Sequence, residues 1–365
     1  MKIKKIFLEL AEDLKRPILA TQDDGNDSLV VFDGKRDDSF DVLKGVAIIL
    51  VVMCHCEIGA LYPFIYSFHI PLFFFISGYF LKIRPIRKEI QLSFKRLLVP
   101  YTFAAFCICV IAFLNDLSNY TWTDGYFSQT TIIKYLLGFR GEVAPSFVGG
   151  NISVLWFILA MFWARMLVVA LIGKIKCVRV LPFIFFMLGI LGIYLENYVF
   201  VPFCIPQGLS AASCVYIGYL LKKYNVLASV EKKIIFPFFL VLWLYSWDNH
   251  GVAMADCVFR CGYVFSIMGA LGAFFALYIM VKKNYDDKVF LWRMLRFCGR
   301  HSLVIYCIHA IEKDVINWKS FALLHHVPLN FFTIFQLSSR MVLIFAITFA
   351  VLKIKFIREE VFQIR

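Results

Sequence analysis

The feature that most constrains this chain is a series of apolar blocks, each roughly 16 to 23 residues long, separated by short basic runs. A helix needs about 20 apolar residues to cross the hydrocarbon core of a bilayer, so blocks of this length predict membrane-spanning helices. They lie near residues 40–60, 64–81, 98–115, 152–172, 180–196, 206–221, 233–248, 261–281, 301–318 and 331–352. We therefore expect an all-α integral membrane protein with about ten transmembrane helices.

Composition agrees with this fold class and argues against a soluble domain and against a nucleic-acid-binding protein. Hydrophobic residues make up 61% of the chain and charged residues 17%, which is incompatible with an ordinary soluble domain. A net charge of +13 would suit a nucleic-acid partner if the basic residues formed one stripe. They lie instead in short runs between apolar blocks, so we expect membrane lipids as neighbours and no nucleic acid.

The basic runs also predict the orientation. Thirty of the 38 lysines and arginines fall in the N-terminal leader, the C-terminal tail and alternate loops. The opposite loops hold five: Lys134, Arg140, Arg260, Lys313 and Lys319. Because positive residues stay on the cytoplasmic side, both termini are predicted to be cytoplasmic, in the cell (cytoplasmic or inner) membrane.

Three regions follow from this pattern. Residues 1–38 form a polar segment whose apolar residues Ile3, Ile6, Phe7, Leu10 and Leu14 recur at helical spacing. That segment is compatible with a helix on the membrane surface or with a solvated helix. Residues 39–353 form the predicted ten-helix membrane domain, and residues 354–365 form a cytoplasmic tail. The loop at 116–151 lies outside and mixes aromatic with polar residues, which suits a sugar or simply the membrane interface.

Two ionisable residues in the first apolar block point to function. Lys44 and His55 are eleven residues apart. On one helix they would differ by about 20° around the axis and by roughly 16 Å along it. Ionisable groups inside a membrane are expensive and mark functional sites. A snorkelling lysine and a structural histidine are the alternative interpretation.

Further candidates come from the same reasoning. His69 begins the second block, with Pro71 in its first turn, and would serve as a second base or as a structural residue. Asp41 lies one turn before Lys44 and is predicted to pair with it. Gly78, in Ser77-Gly78-Tyr79, is predicted to allow close helix packing. Arg165 lies inside the fourth block and needs a partner or a watery cavity.

Several motifs in order resemble the membrane acyltransferase-3 family, and most closely its fucose-4-O-acetylase-like branch. They span about residues 36–350 and comprise Lys44-x10-His55, the run Phe68–Tyr79 (FHIPLFFFISGY), Arg96–Tyr101 (RLLVPY), Leu155–Leu159 (LWFIL, with Trp156), and Ser302–Tyr306 (SLVIY) followed by His309.

This resemblance implies a function and roles for particular residues. The protein would be an O-acetyltransferase that moves an acetyl group from acetyl-CoA to a carbohydrate or lipid-linked glycan of the cell envelope. His55 would be the catalytic base or the acyl-accepting nucleophile. Lys44 and Arg96 would bind the donor, with Arg165 as a further candidate. Ser93 departs from the family, which often has arginine at that place.

The sequence leaves some questions open. His69 is a second catalytic candidate, and Asp41, Trp156 and His309 are further site candidates. Asp256 and Arg260 are spaced to form a local ion pair. The eleven cysteines form no C-x-x-C pair, so we predict no metal. The resemblance implies acetyl-CoA as a substrate, and we expect no bound cofactor. A proton-coupled transporter or a polysaccharide flippase remains the alternative; a relay of buried ionisable groups would suit the former.

Overall fold

The computed structural model describes residues 37–56, 58–59, 61–118, 128–230, 236–249, 251–325, 327–328 and 331–364. The predicted surface helix in residues 1–36 lies outside these ranges. So do Tyr120, Trp122 and Tyr126 of the aromatic outer loop. Those predictions stay open.

The described chain is mostly helical. Its α-helices are α1 (Asp38–Met53), α2 (Leu61–Tyr66), α3 (His69–Tyr79), α4 (Ile86–Ser93), α5 (Val99–Ser118), α6 (Ser128–Leu137), α7 (Trp156–Lys174), α8 (Leu181–Tyr198), α9 (Ile205–Lys223), α10 (Leu227–Val230), α11 (Phe236–Asp248), α12 (Tyr263–Asn284), α13 (Phe290–Arg300), α14 (Ser302–Val315), α15 (Trp318–Leu324) and α16 (Phe332–Lys353). A π-helical stretch, Phe94–Leu98, joins α4 to α5, and another covers Ile357–Val361. Two short antiparallel strands, β1 (Val252–Ala253) and β2 (Val258–Phe259), pair between α11 and α12.

Six helices in the described residues are long and apolar enough to cross a membrane. They cover Leu61–Tyr79, Ile86–Leu114, Trp156–Lys174, Leu181–Tyr198, Tyr263–Asn284 and Phe332–Lys353. The all-α membrane class expected from the apolar blocks is therefore confirmed.

The number of crossings stays a prediction. Each of the ten predicted segments overlaps a helix, but α1, α11 and α14 contain only 16, 13 and 14 residues. A helix of that length is shorter than the about 20 residues that a straight crossing needs. One more predicted segment, α9, is not among the six candidate spans although it is 19 residues long. Its Gly, Ser and Ala residues are largely buried among other helices.

Close backbone contacts at glycine hold the interior helices together. A Cβ placed on Gly78 of α3 would lie 1.9 Å from the carbonyl oxygen of Val215 in α9. Conversely, a Cβ on Gly218 of α9 would lie 2.1 Å from the carbonyl oxygen of Phe75 in α3. The close packing predicted for Gly78 is confirmed, because only a residue without a side chain fits at either point.

Some helices were not expected from hydropathy. Helix α6 lies inside the predicted outer loop, and α13 lies inside a predicted cytoplasmic loop. Helix α13 packs tightly along α1, where a Cβ on Gly299 would lie 1.6 Å from the carbonyl oxygen of Asp41. Both helices are amphipathic, so their apolar residues fall on one face and do not form a continuous block.

Candidate active site

The first helix ends before His55. Helix α1 stops at Met53, and the backbone N–H of Cys54 bonds to the carbonyl of Leu50. The next two N–H groups bond three residues back, from His55 to Val52 and from Cys56 to Met53. His55 therefore lies in a tight turn, and the expectation that one continuous helix carries both Lys44 and His55 is wrong. The predicted axial separation of Lys44 and His55 still holds in part, because the nine residues from Lys44 to Met53 rise about 14 Å along the helix.

The turn brings the His55 ring against His309 of α14. Their ring centroids lie 5.2 Å apart, with the planes inclined by 35°. His55 is partly exposed, and within the described residues its ring nitrogens have no hydrogen-bond partner. His309 is completely buried. The structure thus unites two histidines that the sequence separates widely, one open to a cavity and one behind it.

His309 is held by a carboxylate. Its Nδ1 lies 3.1 Å from Oε2 of Glu312, one turn further along α14. An ionised carboxylate only accepts hydrogen bonds, so Nδ1 carries the proton and Nε2 is left as an acceptor. Within the described residues that buried Nε2 has no partner. Glu312, His309 and His55 therefore lie in series. A hydrogen bond from an N–H of the His55 ring to Nε2 of His309 would connect all three.

Two further residues fix Glu312. Trp318 of α15 donates its indole N–H to Oε1 of Glu312. Nε of Arg340, in α16, lies 3.3 Å from the same oxygen, forming an ion pair without a well-aligned hydrogen bond. The Arg340 guanidinium also lies over the Trp318 ring, 5.8 Å from its centroid. The buried carboxylate is therefore neutralised and held by two other helices.

His55 lines a cavity of about 170 Å³ together with two other sequence candidates, His69 and Trp156. His69 begins α3, as expected, and its Nδ1 lies 2.8 Å from the carbonyl oxygen of Ile65. That carbonyl can only accept, so Nδ1 carries the proton and Nε2 is an acceptor. We name this space the histidine cavity.

Arg140 braces the wall of the histidine cavity. Its guanidinium reaches Asp256 at 2.5 Å, the carbonyl of Ala255 at 3.0 Å and the carbonyl of Ile152 at 3.1 Å. The expected local pair between Asp256 and Arg260 is therefore wrong. Asp256 lies at the end of a short 3-10 turn, so its side chain is not on a helix with Arg260. Arg140 ties together three segments that hydropathy does not connect.

A second cavity, of about 270 Å³, adjoins the first; we name it the outer cavity because its lining residues belong to segments that the sequence predicts to lie outside. The two share Arg140, Ser153 and Lys313 in their walls. The rest of the lining of the outer cavity is mostly polar: Lys134, Asn151, Ile152, Asp314, Val315, Ile316 and Asn317. Burial lowers the pKa of Lys134, against the opposing effect of the Asp314 carboxylate.

The predicted donor residue Lys44 lies in a charged cluster at the start of α1. Its Nζ lies 2.8 Å from Asp41, as expected from their spacing. Arg300 of α13 pairs with both Asp41 and Asp38, at 3.3 and 2.8 Å. Arg296 adds a contact to Asp38 at 2.7 Å. Burial opposes ionisation of Asp38, but the two arginines outweigh it and its pKa is lowered.

Arg165 and Arg96 belong to a different cluster. Arg165 of α7 pairs with Glu89 of α4 at 2.6 Å and donates to Oγ of Ser77 at 3.0 Å. Ser93 also donates to Glu89, at 2.9 Å. Arg96 is exposed in the π-helical stretch and has no ion pair within the described residues. The partner that Arg165 was expected to need is therefore Glu89, and its availability to a donor stays a prediction.

Two site residues were missed although the sequence marks them. Glu89 is the single acidic residue in the basic stretch Lys82–Arg96. Arg340 is the single charged residue in the apolar stretch 332–352. The argument made for Arg165 applies to both: an isolated charge of this kind needs a partner when it is buried.

Comparison with known proteins gives one positive finding. A family model described as an acyltransferase domain matches residues 37–353. That match covers both histidines of the cavity and both charged clusters. It does not distinguish branches, so the resemblance to the fucose-4-O-acetylase-like branch remains a prediction. No curated protein and no solved structure gives a match to the chain.

Proposed function

Because the chain belongs to the membrane acyltransferase-3 family, it is a multi-pass membrane acyltransferase, and we propose that it moves an acetyl group from acetyl-CoA to a hydroxyl of a cell-envelope carbohydrate. The observation that carries the proposal is the partly exposed His55 ring on a cavity, with His309 and Glu312 behind it. The acetyl-CoA would approach from the predicted cytoplasmic side, and the acceptor would be a carbohydrate or lipid-linked glycan.

His55 would act as the general base. In the reacting complex one ring nitrogen would donate to Nε2 of His309, which has no partner among the described residues, and the other would take the proton of the acceptor hydroxyl. The acceptor oxygen then forms a bond to the thioester carbonyl carbon. When the tetrahedral intermediate collapses, the C–S bond breaks, and His55 returns the proton to the CoA thiolate. The products are an acetyl ester and CoA. His309 and Glu312 would then be positioning residues, because they act through His55.

His69 is a second base candidate because its Nε2 is an acceptor in the same cavity wall. At the other end of α1, Lys44 would contact the phosphates of the donor. Arg96 would add an exposed cation, and a π-helical stretch such as the one that holds it is frequent at functional sites.

The test uses membranes that contain the protein, incubated with acetyl-CoA labelled in the acetyl group. We expect label in envelope carbohydrate, released by mild base as acetate, and none from membranes without the protein. Rapid quenching in the absence of acceptor separates two mechanisms. Label that stays soluble supports the general base, and label bound to the protein would indicate that His55 accepts the acyl group itself.

A further inference from the structure

The outer cavity carries more positive charge than its own residues neutralise. Lys134, Arg140 and Lys313 line it, against a single carboxylate, Asp314, in the lining itself. Arg140 is paired with Asp256. Asp314 accepts a hydrogen bond from Tyr135, and its carboxylate attracts both Lys134 and Lys313. One carboxylate shared between two lysines leaves the cavity with an excess of positive charge, and of the two lysines Lys313 borders both cavities.

Lys313 is bound to a neutral partner. Its ammonium donates to Oγ of Ser153 at 2.8 Å, and within the described residues it forms no ion pair; Asp314 and Glu312 attract it only from a longer distance. The side chain is partly buried, and it borders both the histidine cavity and the outer cavity. Removing an ammonium from water without a counter-ion is unfavourable, so a position of this kind favours an anion from outside the chain.

The size and the lining of the two spaces suit part of a sugar. The cavities measure about 170 and 270 Å³ and share a wall. Together they fall in the range of about 300–1,000 Å³ that is usual for ligand sites. Asn151 and Asn317 also line the outer cavity, and amide side chains pair readily with hydroxyl groups.

We propose that the outer cavity binds an anionic group of the acceptor, a sugar carboxylate or a phosphate, with Lys313 as its main contact. This inference rests on the proposed function, because it places the acceptor hydroxyl at His55 in the adjoining histidine cavity. A charge-assisted hydrogen bond to Lys313 would select acidic acceptors over neutral ones of the same shape.

The test measures binding, so that it does not depend on acetyl transfer. Detergent-purified protein, saturated with CoA to fill the donor site, is titrated by calorimetry with glucuronate, inorganic phosphate or glucose at constant ionic strength. We expect glucuronate or phosphate to bind at least about tenfold more tightly than glucose. The better of the two anions identifies the group, a carboxylate or a phosphate.

Variants then assign the binding to Lys313. Lys313→Met should weaken anion binding roughly ten- to a hundred-fold, and Lys313→Arg should retain it. Lys319→Met removes an exposed lysine from the neighbouring α15 and should change nothing. Equal binding of glucose and the anions, or unchanged anion binding in Lys313→Met, would overturn the proposal. Failure of acetyl transfer with intact anion binding would instead count against the proposed function alone.

Discussion

The ring of His309, in the middle of α14, lies 5.2 Å from the ring of His55, in the turn after α1. Helix packing creates this relationship, since α1 and α14 are far apart in the chain. It gives His55 a buried neighbour whose tautomer is fixed by Glu312. In the proposed function, His55 acts as a base through that contact.

Glu312 should set the rate through His55. In the Glu312→Gln variant, the neutral amide can donate a hydrogen bond to Nδ1 of His309. The ring proton of His309 then lies on Nε2, which can no longer accept a hydrogen bond from His55. We expect a loss of about 10²–10⁴-fold in acetyl transfer, the usual size of a general-base contribution, with donor binding unchanged. The transfer rate is measured as an initial rate, and donor binding as the acetyl-CoA affinity of the purified variant.

Because Glu312 also pairs with buried Arg340, the matched control is Arg340→Met together with Glu312→Gln, which leaves no unpaired charge. If the double variant is stable and transfers acetyl at the wild-type rate, Glu312 is a structural residue only.

Donor affinity should depend on Lys44 and Arg96. Loss of one charge-assisted contact to a phosphate costs about 1.5–3 kcal/mol, or roughly a ten- to a hundred-fold loss of affinity. Lys44→Ala and Arg96→Ala should each weaken acetyl-CoA binding by that factor, and Lys44→Arg should be tolerated because it keeps the charge. Lys95→Ala, an exposed neighbour of Arg96, is the control. Wild-type affinity in both alanine variants would leave Lys44 only as the partner of Asp41.

The main role of the Arg165–Glu89 pair should be to stabilise the fold, with any donor binding secondary. Glu89→Leu alone removes a buried carboxylate and leaves the partly buried Arg165, and Arg84, without their partner, which should destabilise the protein by about 3–5 kcal/mol. Glu89→Leu with Arg165→Met should restore much of the thermal stability in detergent. If that stable double variant binds acetyl-CoA as wild type does, Arg165 is removed from the donor site. If it binds more weakly, the donor role gains support.

Gly78 should tolerate no side chain. A methyl group there would meet the backbone of Val215, so Gly78→Ala should destabilise the protein by about 1–3 kcal/mol or separate α3 from α9. Gly173→Ala is the matched control, because a Cβ on Gly173 of α7 meets no atom within 4 Å. Melting temperatures of the two variants that differ by less than the error of the measurement would contradict the packing argument.

Hydropathy predicted the helices well and the site only in part. Each apolar block became a helix because burial from water decides that level of structure. The end of α1 at Met53 was not visible, since neither glycine nor proline marks it. Pairings such as Arg140 with Asp256 depend on tertiary packing between distant segments, and spacing along one helix cannot reveal them. His309 was named from the sequence, but its contact with His55 was not.

The predicted orientation has its own test. The thirty-to-five distribution of basic residues predicts a cytoplasmic C-terminus and an outer location for Thr123. A reporter fused after Arg365 should be active in the cytoplasm, and one inserted at Thr123 should be active outside. A cytoplasmic signal at Thr123 would require a different number of crossings.

The most direct test of the central claim is acetyl transfer by His55→Ala. Membranes with equal amounts of inserted wild type, His55→Ala and His325→Ala are given labelled acetyl-CoA, and base-labile label in carbohydrate is counted. His325 is an exposed histidine in the turn after α15 and serves as the control. We predict wild-type transfer by His325→Ala and a loss of at least about 10²-fold in His55→Ala. Transfer by His55→Ala at the wild-type rate would contradict the account.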